Sequence, residues 1–177
     1  MTTSERTLLE NRRFRVIEKS ITQATGDIAS VQFVRHGGSV AILPFLPDGR
    51  ICLIHSRRLT VDETLIEIPA GTREPNEPPL QTASRELAEE TGYRAQRFAE
   101  LVSYYPSPGV LSERMWIYTA HELTAGEPAR EANEEIENLL VTWDEAFAMI
   151  DRGEIHDGKT ILALLMWERR KAHPTAN

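Results

Sequence analysis

Short runs of apolar and β-branched positions, broken by turn residues, fill the first part of the chain and read as strands. Phe14 to Ile21 and Ile28 to Val34 are two such runs, with Thr25-Gly26-Asp27 as the turn between them. After Gly37-Gly38, Val40 to Phe45 is a nearly continuous apolar strand. Pro47-Asp48-Gly49 has the chemistry of a tight turn, and Arg50 to His55 returns as a partner strand in a predicted hairpin. Thr64 to Ile68 is a further short strand.

The period then changes. A loop from Pro69 to Pro79 holds Pro69, Pro75, Pro78 and Pro79, and a helix is predicted from about Leu80 to Thr91. Gly92 follows it, where a left-handed residue usually ends a helix. Strands are expected at Phe98 to Tyr104, Met115 to His121 and Leu139 to Thr142, with an acidic loop from Thr124 to Glu137. Helices from about Trp143 to Arg152 and Lys159 to Lys171 close the chain. Asp144 and Glu145 near the start of the first suit the helix dipole. The stripe Ile161, Leu164, Leu165 and Trp167 is core packing for the second. Strands with interspersed helices, and no linker, predict one α/β (α+β) domain over residues 1–177.

Composition narrows the class. With 41% hydrophobic and 27% charged residues in a chain of 177, a sizeable core is available. A net charge of −7 argues against non-specific nucleic-acid binding, which needs a basic stripe. It leaves room for an anionic small ligand held by local arginines and a bound cation. The single cysteine, Cys52, lies in the apolar run Ile51 to Ile54 and is expected as a buried thiol. The first fifteen residues are too polar for a signal peptide, and no apolar stretch approaches a membrane span, so a cytoplasmic protein is expected.

The candidate chemistry sits on the first helix. Leu80, Ala83 and Leu87 share one face, and Glu86, Glu89 and Glu90 fall on an adjacent arc. Like charges three and four apart destabilise a helix by about 0.2–0.5 kcal/mol per pair. The arc is either a solvated face or a site for a hard cation, which takes oxygen ligands. Arg85 beside the cluster could hold one carboxylate in place.

The segment from Gly71 to Tyr93 resembles the signature of the Nudix hydrolases. Gly71, Glu77, Arg85-Glu86, Leu87, Glu89-Glu90, Gly92 and Tyr93 match every fixed position at the right spacing. The resemblance implies an α/β/α sandwich with a mixed sheet and additional N-terminal antiparallel strands. It implies that Glu86, Glu89 and Glu90 bind Mg²⁺, for which Mn²⁺ can substitute, helped by the carbonyl of Ala70. Arg85, counted with the catalytic set, and Glu77 would orient those ligands. Such cations neutralise phosphate oxygens and lower the pKa of a bound water, while the protein supplies position and a base.

Further matches point to the ADP-ribose pyrophosphatase branch. Arg35 to Ala41 is similar to its Arg-His-Pro-Gly-Ala-Val-Ala run, and Leu65 to Gly71 to its Leu-Leu-Glu-Leu-Pro-Ala-Gly. Pro108, in Tyr105-Pro106-Ser107-Pro108-Gly109, stands 15 residues after Tyr93, as in that branch. By this resemblance Arg58, Arg35, Glu67, Ser107 and Glu113 line the substrate site, with Arg57 able to share the role of Arg58. The general base would come from Asn133-Glu134-Glu135-Ile136, as Glu134 first and Glu135 second. A homodimer is implied, with residues 1–37 at its interface and Phe14 or Phe33 as candidate stacking aromatics. Ser56, Thr60 and Gly37 depart from the branch and bear on substrate choice more than on reaction type. The expected reaction is hydrolysis of ADP-ribose to AMP and ribose 5-phosphate. The alternatives are another nucleoside diphosphate sugar such as GDP-mannose, a cap- or RNA-directed hydrolase, and a non-catalytic nucleotide sensor.

Overall fold

The computed structural model describes residues 3–130 and 135–173. In chain order the elements are β1 (Thr3–Glu10), β2 (Phe14–Thr22), β3 (Ile28–His36), β4 (Ser39–Pro44), β5 (Ile51–Arg58), β6 (Glu63–Glu67), β7 (Ala70–Thr72), α1 (Pro79–Thr91), β8 (Arg94–Tyr104), β9 (Met115–Thr124), β10 (Ile136–Val141), α2 (Trp143–Asp151) and α3 (Gly158–Ala172). They form three sheets, ordered β1-β2-β3, β10-β5-β6 and β7-β4-β9-β8. The last is mixed: β4 runs parallel to β9 and antiparallel to β7.

Alternation along β4 builds both cores. Val40 and Ile42 face α1, where they pack with Ala83, Leu87, Tyr118 and Leu123. Ala41 and Leu43 face the other way, onto Ile51 and Leu53 of β5 and onto Ala163 and Leu164 of α3. A helix therefore covers one face of the mixed sheet, while the second sheet and the closing helices cover the other. This is the mixed-sheet sandwich expected from the sequence.

The predicted hairpin of residues 40–45 with 50–55 does not form. Only Phe45 bridges Ile51; β4 pairs with β7 and β9, and β5 with β6 and β10. Both strands are apolar on both faces, with Val40 to Leu43 and Ile51 to Ile54 fully buried. Each is therefore central in its own sheet, and the tight turn carries the chain across the sandwich instead of along one ladder.

Local chemistry sets the helix ends. Pro79 at the first position of α1 gives up a donor that had no partner, and Gly92 ends the helix at φ 81°, its N–H donating to Ala88 O at 3.0 Å. Thr142 and Glu145 form a reciprocal capping box on α2, and Asp157 caps α3 by accepting from Thr160 N. Two expected core positions are corrected. Leu80 is 49% exposed because it sits at the edge of an α1 face centred on Ala83, Glu86, Leu87 and Glu90. Leu165 is 50% exposed because the buried stripe of α3 runs through Thr160, Ala163 and Leu164. The loop from Pro69 also contains the short strand β7, which seats Ala70 and Gly71 against β4.

Candidate active site

The buried face of α1 carries carboxylates as well as apolar side chains. Glu86 and Glu90 are 8% and 5% exposed, so this arc is not a solvated helix face. Gly71 makes room for it: a Cβ there would sit inside the Glu86 carboxylate. Glu90 Oε2 accepts from the Ala70 N–H at 2.8 Å, which ties β7 to the helix.

Arg85 is the hub. Its guanidinium donates to both oxygens of Glu77 at 3.1 Å, to Glu86 Oε1 at 2.7 Å, to Glu89 Oε2 at 2.9 Å and to the carbonyl of Thr72 at 3.3 Å. Glu77 also accepts from the Thr82 hydroxyl and the Glu74 N–H. The hydrogen bonds from Arg85, against the opposing effect of burial, hold the Glu77 carboxyl at about 2, well below its ordinary range. One arginine thus gathers three carboxylates whose mutual repulsion would otherwise splay them.

Glu86, Glu89 and Glu90 line a cavity of about 430 Å³ with Ala70, Gly71 and Arg85; Arg12, Arg13 and Arg58 line it as well. Among the described residues no three acidic or histidine side chains close on one point as metal ligands do. The donor set nevertheless fits a hard divalent cation: three carboxylates on one wall, all oxygen, beside the backbone of Ala70.

Arg58 enters this cavity from β5, and a buried network fixes it. Its Nε and terminal nitrogen donate to Glu67 at 2.6 and 2.7 Å, and the Glu67 side chain is 1% exposed. Lys159, in the first turn of α3, also pairs with Glu67 and lies 3.0 Å from Asp157. Burial opposes the Glu67 charge, but the hydrogen bonds from Arg58 and the charge of Lys159 outweigh it, so the carboxyl sits below its ordinary value. Arg57 turns to Asp62 and does not line the cavity, whereas Arg58 does.

The remaining sequence candidates lie elsewhere. Arg35 pairs with Glu5 through two 2.9 Å bonds and lines a neighbouring cavity, together with Phe14. Phe33 lies under the Arg35 guanidinium, half-buried. Glu113 accepts from the Ser39 hydroxyl at 2.5 Å and stands 3.4 Å from His36, outside the carboxylate cavity. Ser107 is exposed, its carbonyl accepting from Val110 and Leu111 in the turn after β8. Glu134 lies outside the described residues. The chain on either side of it is anchored: Arg130 Nε donates to Glu90 O at 2.8 Å, and Glu135 O accepts from Arg57 N at 3.2 Å. The Glu135 side chain is exposed.

Four residues of the site escaped the sequence reading. Arg12 and Arg13 belong to the turn between β1 and β2, 66 positions or more before the helix they face, and no local pattern links them to it. Lys159 and Asp157 could have been found from the Asp-x-Lys-Thr run that starts α3, a cap residue beside a lysine.

Fold and site together define a sandwich hydrolase in which one helix offers carboxylates and loop and strand arginines face them, an arrangement for anionic oxygen groups. Residues 35–164 match the NUDIX domain, and the chain belongs to the Nudix family, as a pyrophosphohydrolase. It is similar to an ADP-ribose pyrophosphatase of Bacillus subtilis, 35% identical over 149 residues that cover 83% of this chain and 80% of that one. An ADP-ribose pyrophosphatase of Mycobacterium tuberculosis is 33% identical over 169 residues, covering 93% and 81%. A solved structure described as an ADP compounds hydrolase superposes with a TM-score of 0.81 at 19% identity, covering 98% of this chain and 95% of that one, which shows the shared fold.

Proposed function

We propose that the protein hydrolyses ADP-ribose to AMP and ribose 5-phosphate with Mg²⁺ bound at Glu86, Glu89 and Glu90. One P–O bond of the diphosphate bridge breaks, water supplies the oxygen that caps the attacked phosphorus, and the bridging oxygen leaves on the other phosphate. The observation that carries this reading is a single cavity whose walls bear Glu86, Glu89 and Glu90 together with Arg12, Arg13 and Arg58. A diphosphate brings several anionic oxygens into such a cavity, and bound divalent cations would neutralise those that face the carboxylates.

The other tasks fall to the chain itself. Arg58, locked by Glu67, presents a fixed fork to a phosphate and so sets its orientation before reaction. Arg85 keeps the carboxylates in register. A glutamate from the segment anchored at Arg130 and Glu135 removes the proton of the attacking water, Glu134 first and Glu135 second. Arg35, Ser107 and Glu113 we assign to the outer parts of the substrate path. The exposed Leu8, Leu9, Ile28 and Val31 of the N-terminal sheet support a second copy of the chain as its covering, giving a homodimer. We assign the enzyme to the cytoplasm; none of the helices among the described residues is long and apolar enough to cross a membrane.

The test is a panel of ADP-ribose, GDP-mannose, UDP-glucose, NADH and capped RNA with Mg²⁺ and purified protein, products resolved by chromatography. ADP-ribose is expected to turn over fastest, and Glu90→Ala to abolish turnover while the fold persists. Faster release from GDP-mannose, the second reading, for which the departures at Ser56 and Thr60 leave room, would keep the cation site and overturn the substrate. Full activity in the Glu90→Ala variant would overturn the site itself.

A further inference from the structure

A second cavity, of about 490 Å³, adjoins the first, and Arg12, Arg13 and the segment Thr72 to Pro75 line both. Arginines and glutamates nearly balance along the first, whereas the second is strongly basic. Arg12, Arg13, Arg15, Arg35 and Arg73 line it, against only Glu10 and Glu74 among acidic groups. Arg35 is committed to Glu5. Arg73 donates to the carbonyls of Glu77 and Gly37 and lies 5.0 Å from the Trp116 ring, contacts that fix the guanidinium without cancelling its charge. The side chains of Arg13 and Arg15 make no hydrogen bond or close ion pair among the described residues, and Arg15 stands across the strand pair from Glu10 and feels the charge of Glu5.

Exposed, like-charged arginines repel one another, and neither the base nor the unsubstituted sugar of a nucleotide calls for so many. A phosphate monoester does: it offers about two negative charges and three acceptor oxygens, and guanidinium groups bind it bidentately. We propose that this cavity is a subsite for an additional phosphate, carried on a ribose of the substrate, so that the enzyme prefers nucleoside diphosphate derivatives bearing a phosphate monoester beyond the scissile diphosphate. This rests on the reading that the carboxylate cavity holds the diphosphate, since the shared wall is what puts the two groups within one molecule.

Binding tests the subsite separately from hydrolysis. Isothermal titration at fixed ionic strength would compare AMP with adenosine 2′,5′-bisphosphate and adenosine 3′,5′-bisphosphate. At least one bisphosphate is expected to bind about tenfold more tightly than AMP, the gain of one or two charge-assisted contacts. Arg15→Gln, at an exposed position that lines only the second cavity, should remove most of that gain and leave AMP binding and ADP-ribose turnover unchanged. Arg13→Gln, at a position that lines both cavities, is the second variant and is read only on the ratio of bisphosphate to AMP affinity. Equal or weaker binding of both bisphosphates, or a gain that survives both substitutions, overturns the subsite. Loss of ADP-ribose hydrolysis in the panel above would overturn the proposed reaction and leave this comparison standing.

Discussion

Glu67→Gln is the substitution that separates a buried ionic network from ordinary packing. Glu67 lies between two cations, with Arg58 on one side and Lys159 on the other, and its own side chain is 1% exposed. The wild-type group carries one net positive charge; the variant carries two with no carboxylate between them. Arg58, 39% exposed on its side chain, can recover part of its solvation, whereas Lys159 at 10% cannot and keeps only Asp157 at 3.0 Å. Breaking a buried pair by removing one partner costs about 3–5 kcal/mol, and the partial exposure of Arg58 places this case near the lower end, about 3 kcal/mol. For a chain of this size that corresponds to a fall in Tm of about 6–12 °C. Lys159→Met should cost less, about 1 kcal/mol, because it leaves the bidentate Arg58–Glu67 pair charge-neutral. The assay is urea unfolding with linear extrapolation, at neutral pH and again in acid. Because the folded carboxyl lies below its ordinary 4.5, its contribution is full above that value and is lost as pH falls through the folded pKa. The gap between wild type and Glu67→Gln should therefore close in acid. A loss under about 1 kcal/mol at neutral pH, or Lys159→Met as the more damaging change, would refute the reasoning.

Glu77 gives a second pH prediction: its folded value of about 2 against an ordinary 4.5 means that Glu77→Gln should lower urea stability above pH 4.5 and converge with wild type as pH approaches 2. Burial pushes the Cys52 thiol up to about 12, against a small opposing effect from Arg130. An aromatic disulfide reagent at mildly alkaline pH should therefore label the chain only after denaturation, and fast labelling of the native protein would contradict the burial.

What the sequence made legible was local or strongly patterned. The Glu86, Glu89, Glu90 arc and the Arg85 hub share one helix, so a wheel and a spacing rule bring them together before any tertiary contact is known. Most strand positions followed from apolar and β-branched runs, and the end of α1 from Gly92, whereas the Asp157 cap of α3 went unread. The pairing of β4 with β9 and β7 was not legible, because a strand buried on both faces carries no alternation to fix its neighbour. The nearby tight turn then suggested a hairpin that the two-sheet core rules out. Arg12 and Arg13 were invisible for a different reason. A turn that folds back over a distant helix leaves no periodic trace, and two arginines between strands look like any polar turn.

The segment from Glu67 to Gly71 ties the carboxylate cavity to both packed layers of this chain. Glu67 is held by Lys159 from α3, and the Ile68 N–H donates to Thr160 of the same helix at 2.9 Å. The Pro69 carbonyl accepts from Ile42 of the mixed sheet at 2.8 Å, and the Ala70 N–H donates to Glu90 of α1 at 2.8 Å. Four successive residues thus contact both layers of helix and both sheets. Arg58, which we assign to the substrate, is fixed at one end of the segment, and Glu90, which we assign to the cation, at the other. The distance between Arg58 and Glu90 is thus tied to this one stretch of extended backbone, whose reach the covalent geometry limits. A perturbation at the start of α3 should then reach the site through Arg58 and Glu90 together. In Lys159→Met it should raise KM more than it lowers kcat, because the reacting groups remain and their grip on the substrate loosens.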